Sequence, residues 1–178
     1  IPLGYNQRLE RAVDLAAVDD TPVLRRITGG RAIYHDPSEV TYSIAVNTTN
    51  AGPPKLRGTL SQSSELLAKA LQAFLMGAGL TTEVQRSSSL RNADPRFFHR
   101  APCFASHARY ELMCGGRKVV ASAQKRLPGA ILQHGSIKLS GVAGHPAVDG
   151  GSATVGNLKP IAPDDLTKLS WLFVDCLC

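Results

Sequence analysis

Apolar side chains alternate with polar ones along three stretches of the chain, EVTYSIAVN (39–47), KVVASAQ (118–124) and GAILQHGSIKL (129–139). This period of two, together with the many β-branched residues, predicts strands. RYELMC (109–114) predicts a further strand just before KVVASAQ. The Gly115-Gly116 pair between them predicts a tight hairpin, because glycine accepts the backbone angles that such turns need.

Two shorter runs complete the predicted strands. PVLRRI (22–27) is separated from 39–47 by TGGRAIYHDPS, whose glycines and Asp-Pro break regular structure, so we expect these two strands to pair. LTTEVQ (80–85) predicts another strand. The segment 86–102 that follows it reads as a long loop, and loops of that length in compact domains are commonly functional.

Helical spacing of apolar residues marks three further segments. RLERAVDLAAV (8–18) predicts a short helix, and DDLTKLSWLFVD (164–175) predicts another near the end of the chain. Between them, Ser61 or Ser63 is expected to cap a helix that Gly77 and Gly79 end. The apolar face of that helix is formed by Leu67, Ala70, Leu71, Phe74, Leu75 and Ala78.

The composition fits one globular domain of 178 residues, 43% of them hydrophobic. No apolar run approaches the roughly twenty residues that span a bilayer, and the opening IPLGYNQRLE lacks the features of a signal peptide, so we expect a cytosolic protein. In that compartment the four cysteines are expected to stay reduced, without disulfides. The first residue is not methionine, so a fragment or a trimmed chain is expected.

The formal charge of +6 and the pI near 9.4 favour an acidic partner. The basic residues are scattered along the chain and only 6% of the residues are aromatic, whereas nucleic-acid binding usually needs a basic stripe or a stacking platform. We therefore expect an acidic protein or a phosphate-bearing carrier as partner, and no nucleic acid.

Cys103 is the first candidate for chemistry, because it lies in a Pro-Cys-Phe turn rather than in an apolar run. A thiol becomes a nucleophile when a cation or a base stabilises its thiolate, and Lys118, His99 and His107 are candidates for that role. The residues alone leave open the commoner alternative of a packed, inert thiol, and of Lys118 as a solvated lysine. A zinc site formed with His134 is disfavoured, because the spacings match none of the usual ligand pairs.

The Thr28-Gly29-Gly30 segment has two interpretations from its residues. Glycine pairs are usually simple turns, but a missing side chain also lets backbone N–H groups approach a ligand. His35 and His134 lie in strand-like surroundings, where a histidine is by default a hydrogen-bonded core or rim residue.

Four motifs, taken in order and spacing, resemble the biotin/lipoate protein ligase catalytic domain: RRITGGRAIYHD (25–36), CFASHARYEL (103–112), GRKVVASAQKR (116–126) and GAILQHGSIKL (129–139). The closest similarity is to the octanoyltransferase branch found in Gram-positive bacteria. The resemblance covers residues 3–139, and 140–178 is an unassigned tail within one expected domain, 1–178. It implies an α/β (α+β) fold with a largely antiparallel mixed sheet flanked by helices, as in class II aminoacyl-tRNA synthetase-like catalytic domains, incomplete at both ends.

The resemblance also implies a function. Octanoyltransferases of this branch move an octanoyl group from acyl carrier protein to a lysine of a lipoyl domain, such as the glycine-cleavage H protein, through an enzyme thioester and without a cofactor or metal. Cys103 matches the nucleophile and Lys118 the lysine beside it. The implied acyl slot draws on Ile33, Tyr34, Val120 and Ile131. The implied substrate-binding residues are Arg26, Thr28, Gly29, Gly30, Arg31, His35, Ala121, Ser122, Gln124, His134 and Gly135.

Two alternatives stay open at this point. An ATP- and Mg-dependent lipoate or biotin ligase would share the fold, and a non-catalytic member would only bind lipoyl domains. The ligases typically carry three glycines where this chain has Gly29-Gly30-Arg31, which favours the transferase. Ala121 also replaces a common glycine, and its methyl group is expected to narrow the acyl slot or to shift its specificity.

Overall fold

The structure, a computed structural model, describes residues 1–37, 39–49, 52–87, 109–138, 145–149, 163–175 and 177. Two short strands, β1 (Pro2–Leu3) and β2 (Leu24–Arg25), pair in parallel. The other five form an antiparallel sheet in the order β3-β7-β6-β5-β4. These are β3 (Glu39–Asn47), β4 (Glu83–Val84), β5 (Leu112–Cys114), β6 (Arg117–Leu127) and β7 (Ala130–Lys138). The expected antiparallel sheet is thus confirmed.

One predicted strand pairing is wrong. Residues 22–27 do not pair with 39–47, because β2 pairs with β1 and β3 pairs with β7 over nine positions, from Glu39 opposite Lys138 to Asn47 opposite Ala130. β3 is an edge strand of the five-stranded sheet, and the short run at 24–25 pairs instead with the N-terminal segment. The predicted hairpin is confirmed: Gly115 and Gly116 have φ values of 54° and 74° between β5 and β6.

The described helices are α1 (Leu9–Ala12), a 3-10 turn (Pro54–Leu56), α2 (Leu60–Gly77), α3 (Pro146–Asp149) and α4 (Pro163–Asp175). The prediction for α4 is confirmed, whereas the helix predicted over 8–18 is only the four residues of α1. The cap of α2 is Thr59, in a reciprocal capping box with Gln62, so the predicted Ser61 or Ser63 cap is wrong. Ser63 is instead buried, and its hydroxyl donates to the Leu60 carbonyl. No described helix has the length and apolarity to cross a bilayer.

Side-chain alternation gives the five-stranded sheet two different faces. One face packs on α2, where Leu71, Phe74 and Leu75 contact Val120 and Ile137 in the main apolar core. The opposite face carries smaller and polar side chains in registered rows, such as Thr41, Ser136 and Ala121. The N-terminal segment with β1 and β2 lies over this second face, and a cavity lies between them.

Candidate active site

A cavity of about 770 Å³ lies between the second face of the sheet and the N-terminal segment. This volume is in the range of small-molecule sites in proteins, roughly 300 to 1,000 Å³. Its floor is formed by β3, β6 and β7, and its cover by β1, β2 and the loop after β2. The lining includes eight of the residues predicted to bind substrate: Arg26, Gly30, Arg31, His35, Ala121, Ser122, His134 and Gly135.

Arg26 fixes the loop that covers the cavity. Its guanidinium donates to the carbonyl oxygens of Pro2, Gly29 and Arg31, each at 2.8 Å, and to the Thr28 hydroxyl at 3.1 Å. Five N–H donors in a rigid fork suit an arginine to gathering several backbone acceptors in this way. Arg26 therefore ties the glycine-containing loop to β1.

Gly30 and Gly29 differ in what the backbone requires of them. Gly30 has a φ of +92°, and a Cβ there would lie 2.8 Å from Arg26 Nη2. A Cβ on Gly4 would lie 1.8 Å from the Gly30 carbonyl oxygen, so these two backbones touch. A Cβ on Gly29 would meet nothing within 4 Å. The fold thus demands glycine at position 30, and it leaves open space beside Gly29.

His134 on β7 is held as a neutral imidazole in the cavity wall. Burial lowers its pKa, and the nearby positive charges of Arg26 and His35 lower the pKa further. Its Nε2 lies 2.5 Å from the Thr28 hydroxyl oxygen, which also accepts from Arg26. Thr28 is fully buried beneath the loop and does not itself line the cavity.

His35 faces the cavity in front of a buried ionic cluster. Its Nδ1 contacts Glu39 Oε1, and the other oxygen of that carboxylate contacts Lys138 Nζ. Lys138 is fully buried and also donates to Asp36 at 2.6 Å and to the Tyr34 carbonyl at 3.0 Å. Burial by itself would raise the pKa of Glu39, but hydrogen bonds from His35, Lys138 and Ser136 outweigh it and lower that pKa below its ordinary value. Glu39 is therefore an ionised carboxylate between a histidine and a lysine.

Lys118 lies on β6 and is buried, which excludes the solvated alternative considered from the sequence. Its Nζ donates to Glu111 Oε1 at 2.7 Å, and the two side chains are 3% and 12% exposed. The register shifts near this pair, with Leu112 opposite Val120 but Met113 opposite Lys118. Without a bulge, Val120 and Lys118 would face the same side of the sheet, since they are two positions apart. Because Val120 packs toward α2 and the bulge interrupts the alternation, Lys118 faces the other side, which bears the cavity.

Three residues that were predicted to bind substrate make contacts with other residues of the fold. Gln124 lies on the α2 face, where it donates to Gln133 at 3.1 Å and accepts from Ser63 at 3.2 Å, so it does not line the cavity. At Gly135, a Cβ would lie 2.4 Å from the Ala121 carbonyl oxygen and 2.7 Å from the Tyr42 ring. Ser122 shares a 2.6 Å hydrogen bond with the hydroxyl of that same tyrosine.

Only one of the four residues expected to line the acyl slot lies in the cavity. Ile33 lines the cavity, whereas Val120 is in the core against α2, Ile131 is buried elsewhere, and Tyr34 packs with the N-terminal core and the ring of His145. Val120 was expected in the acyl slot, but side chains alternate along β6, so the Val120 side chain faces the side of the sheet opposite to Ala121. The apolar lining that the sequence did not identify comes from Ile1, Pro2, Pro22 and Leu24.

Cys103, His99 and His107 lie outside the described residues, so their predicted roles stay predictions. The described cysteine, Cys114, is a free thiol at the edge of the main core. Within the described ranges, no three His, Cys, Asp or Glu side chains are placed to hold a metal ion. Glu39, Glu111 and Lys138 escaped the sequence analysis. The available signal for Lys138 was its place next to Ile137 at the end of a strand with alternating apolar residues.

Fold and cavity together define an α/β domain in which a glycine-containing loop closes over an antiparallel sheet to enclose a ligand-sized space. The chain belongs to the lipoyl protein ligase A/B catalytic domain family, whose family model matches residues 1–144.

Similar proteins include octanoyltransferases of several bacteria. The octanoyltransferase LipM of Moorella thermoacetica is 44% identical over 142 residues, which cover 79% of this chain and 50% of that protein. Octanoyltransferase LipM of Geobacillus kaustophilus is 37% identical over 143 residues, 78% of this chain and 50% of the relative. The chain thus spans about half the length of the curated relatives it matches.

Solved structures confirm the expected fold. Protein Ta0514 of T. acidophilum with bound lipoic acid superposes with a TM-score of 0.70 at 19% identity, over 99% of this chain and 67% of that chain. Lipoate-protein ligase A bound with ATP superposes with a TM-score of 0.67 at 18% identity, over 99% and 68% of the two chains.

Proposed function

We propose that this domain transfers an octanoyl group from octanoyl-acyl carrier protein to a lysine of a lipoyl domain, such as the glycine-cleavage H protein, through a thioester on Cys103. Exchange of a thioester needs no nucleotide, so the reaction is proposed to need neither a cofactor nor a metal. The two acidic protein partners account for the positive charge of the chain.

The observation that carries the proposal is the similarity to octanoyltransferases. At 44% identity over 142 of 178 residues, the relative from Moorella thermoacetica is far more similar than the structures with lipoic acid or ATP, which share 18–19%. The motif with Cys103 adds a thiol that a thioester mechanism requires.

The cavity supports an acyl substrate. Pro2, Leu24 and Ile33 offer apolar contact for a hydrocarbon chain, while His35 and His134 offer polar contact for its carbonyl end. Burial of apolar chain contributes about 0.8 kcal/mol per CH₂ group, so a medium-length acyl chain gains several kcal/mol there.

Lys118 is proposed to serve the thiol. An ammonium near Cys103 would favour the thiolate and would donate to the oxyanion that forms when the thioester is attacked. The contact with Glu111 supports this role by fixing the position of Nζ, since a lysine is otherwise a mobile point charge.

Intact-mass analysis after mixing with octanoyl carrier protein, without nucleotide, tests the proposal. We expect a hydroxylamine-labile octanoyl adduct that Cys103→Ala abolishes and that Cys114→Ala, the matched control at a half-buried thiol, leaves in place. Acylation that requires ATP would establish the ligase alternative, which the structural similarity to an ATP-bound ligase makes the second candidate. Binding of a lipoyl domain without any acylation would establish the non-catalytic one.

A further inference from the structure

His35 has the surroundings of a general base. Glu39 contacts its Nδ1, and in the tautomer that donates from Nδ1 the other ring nitrogen, Nε2, carries no proton and can act as an acceptor. The imidazole is 38% exposed and lines the cavity, whereas the Glu39 carboxylate behind it is 2% exposed. Lys138, with no exposed surface, fixes that carboxylate from the other side. A buried carboxylate that orients a histidine is an arrangement that recurs in general-base catalysis.

We propose that His35 is the base for the second half of the reaction, in which it takes a proton from the acceptor lysine while Glu39 and Lys138 position its ring. This inference rests on the proposed function. The transfer step needs a base, because an acceptor lysine, with an ordinary pKa near 10.4, is protonated at neutral pH and cannot attack the thioester.

His35 Nε2 takes one proton from the lysine ammonium, and the neutral amine attacks the carbonyl carbon of the Cys103 thioester. A C–N bond forms and the C–S bond breaks, so the thiolate of Cys103 leaves. The second proton lost by the nitrogen goes to that thiolate and restores the thiol, and His35 releases the first proton to solvent.

The other basic groups near the cavity are less suited to this step. His134 must become a cation to act as a base, and Arg26 beside it opposes that charge. Lys118 donates to Glu111 through its Nζ and does not line the cavity. Of the two described histidines that line the cavity, His35 is the one in contact with a carboxylate.

The pH dependence of transfer reflects every charged group that faces His35. Glu39 contacts the ring directly, and Lys138 and Asp36 lie behind that carboxylate. Among the described residues, the charged or titratable groups are Ile1 (its ammonium), Arg26, Arg31, Tyr42 and His134 in the cavity wall, and Asp36, Glu39 and Lys138 behind the ring.

The test measures the two half-reactions separately on the full chain, as formation of the Cys103 adduct from octanoyl carrier protein and as its loss to a lipoyl domain. His35→Asn can still donate to Glu39 but lacks the basic nitrogen. We expect its transfer step to slow by about 100-fold or more, the size typical of a lost general base, and its loading step to slow far less. Imidazole should restore transfer in His35→Ala.

Methoxyamine provides a second readout, because it is already a neutral amine at neutral pH. It should consume the adducts of His35→Asn and of the parent at similar rates. His145→Asn is the matched control, since His145 also lies beside a carboxylate, at 3.4 Å from Asp19, but does not line the cavity. Transfer by this control should match the parent.

Equal losses in loading and transfer, or a transfer rate equal to the parent's, would overturn the role of His35 and leave the proposed function intact. A parent protein that forms no adduct on Cys103 would overturn both. The two failures are therefore distinguishable in one set of mass spectra.

Discussion

Lys118 and Glu111 form a buried ion pair across the irregular end of the β5–β6 hairpin, with Nζ and Oε1 at 2.7 Å. Loss of one partner from such a pair leaves the opposite charge buried without its closest counterion. Lys118→Met should therefore lower the free energy of unfolding by about 3 kcal/mol. The double variant Lys118→Met, Glu111→Leu removes both charges and should recover most of that loss in urea denaturation.

The same variants separate stability from chemistry at Lys118. The double variant should be stable and yet lose most acyl transfer, and Lys118→Arg should also lose transfer, because a planar guanidinium does not place a compact charge at the same point. A Lys118→Met protein with the parent's unfolding free energy would contradict the buried pair. A double variant with full transfer would remove Lys118 from the mechanism.

The sequence predicted the elements whose patterns are long. Alternation over about ten residues marks β3, β6 and β7, and an apolar face of six residues marks α2. It could not predict the parallel pair β1–β2, because two-residue strands have no period to recognise. The burial of Lys118 also has no local signal, since lysines are rarely buried. Its partner is set by a bulge in the β5–β6 register.

Gly30 and Gly29 offer a matched pair for the covering loop. Gly30→Ala must adopt a φ of +92° and must displace the Arg26 guanidinium. We expect it to lower the midpoint of thermal unfolding by several degrees, for a loss of more than about 1 kcal/mol. Gly29→Ala should unfold like the parent, because the added methyl group meets open space.

Acyl transfer then distinguishes the two interpretations of Gly29. If its backbone approaches the substrate, Gly29→Ala will be stable but will bind octanoyl carrier protein more weakly, which a rise in the apparent KM measures. Unchanged kinetics would make position 29 an ordinary turn residue. A Gly30→Ala protein as stable as the parent would contradict the positive φ.

Gly135 is predicted to be a packing requirement rather than a substrate contact. An added methyl group would meet the Ala121 carbonyl oxygen at 2.4 Å and the Tyr42 ring at 2.7 Å. Gly135→Ala should therefore destabilise the sheet by about 1–3 kcal/mol, the usual cost of overpacking. Gly135→Ala, Tyr42→Leu should recover part of that loss. No recovery in denaturant unfolding would mean that the contact with Ala121, and not the ring, sets the cost.

Ala121 lines the cavity and is predicted to limit the acyl chain. Ala121→Gly removes one methyl group from the floor, so the rate with a decanoyl donor should rise relative to the octanoyl donor. One methyl-sized change in an apolar pocket is worth about 1–3 kcal/mol of discrimination, or about 10-fold or more. A constant ratio of kcat/KM for the two donors would show that the acyl chain does not reach Ala121.

His134 should make the fold sensitive to mild acid. Its pKa in the folded protein lies below the ordinary value of 6.5, so the unfolded chain takes up a proton first as the pH falls. The stability associated with neutral His134 is complete above about pH 6.5 and is lost as the pH falls through its lower folded pKa. Glu39, whose folded pKa also lies below its ordinary value of 4.5, acts in a separate and more acidic pH range.

Denaturant unfolding at a series of pH values checks the pH dependence of stability directly. His134→Gln should flatten the curve just below pH 6.5 and keep the acid loss that Glu39 causes, whereas identical curves for variant and parent would show that His134 titrates alike in the folded and unfolded chains.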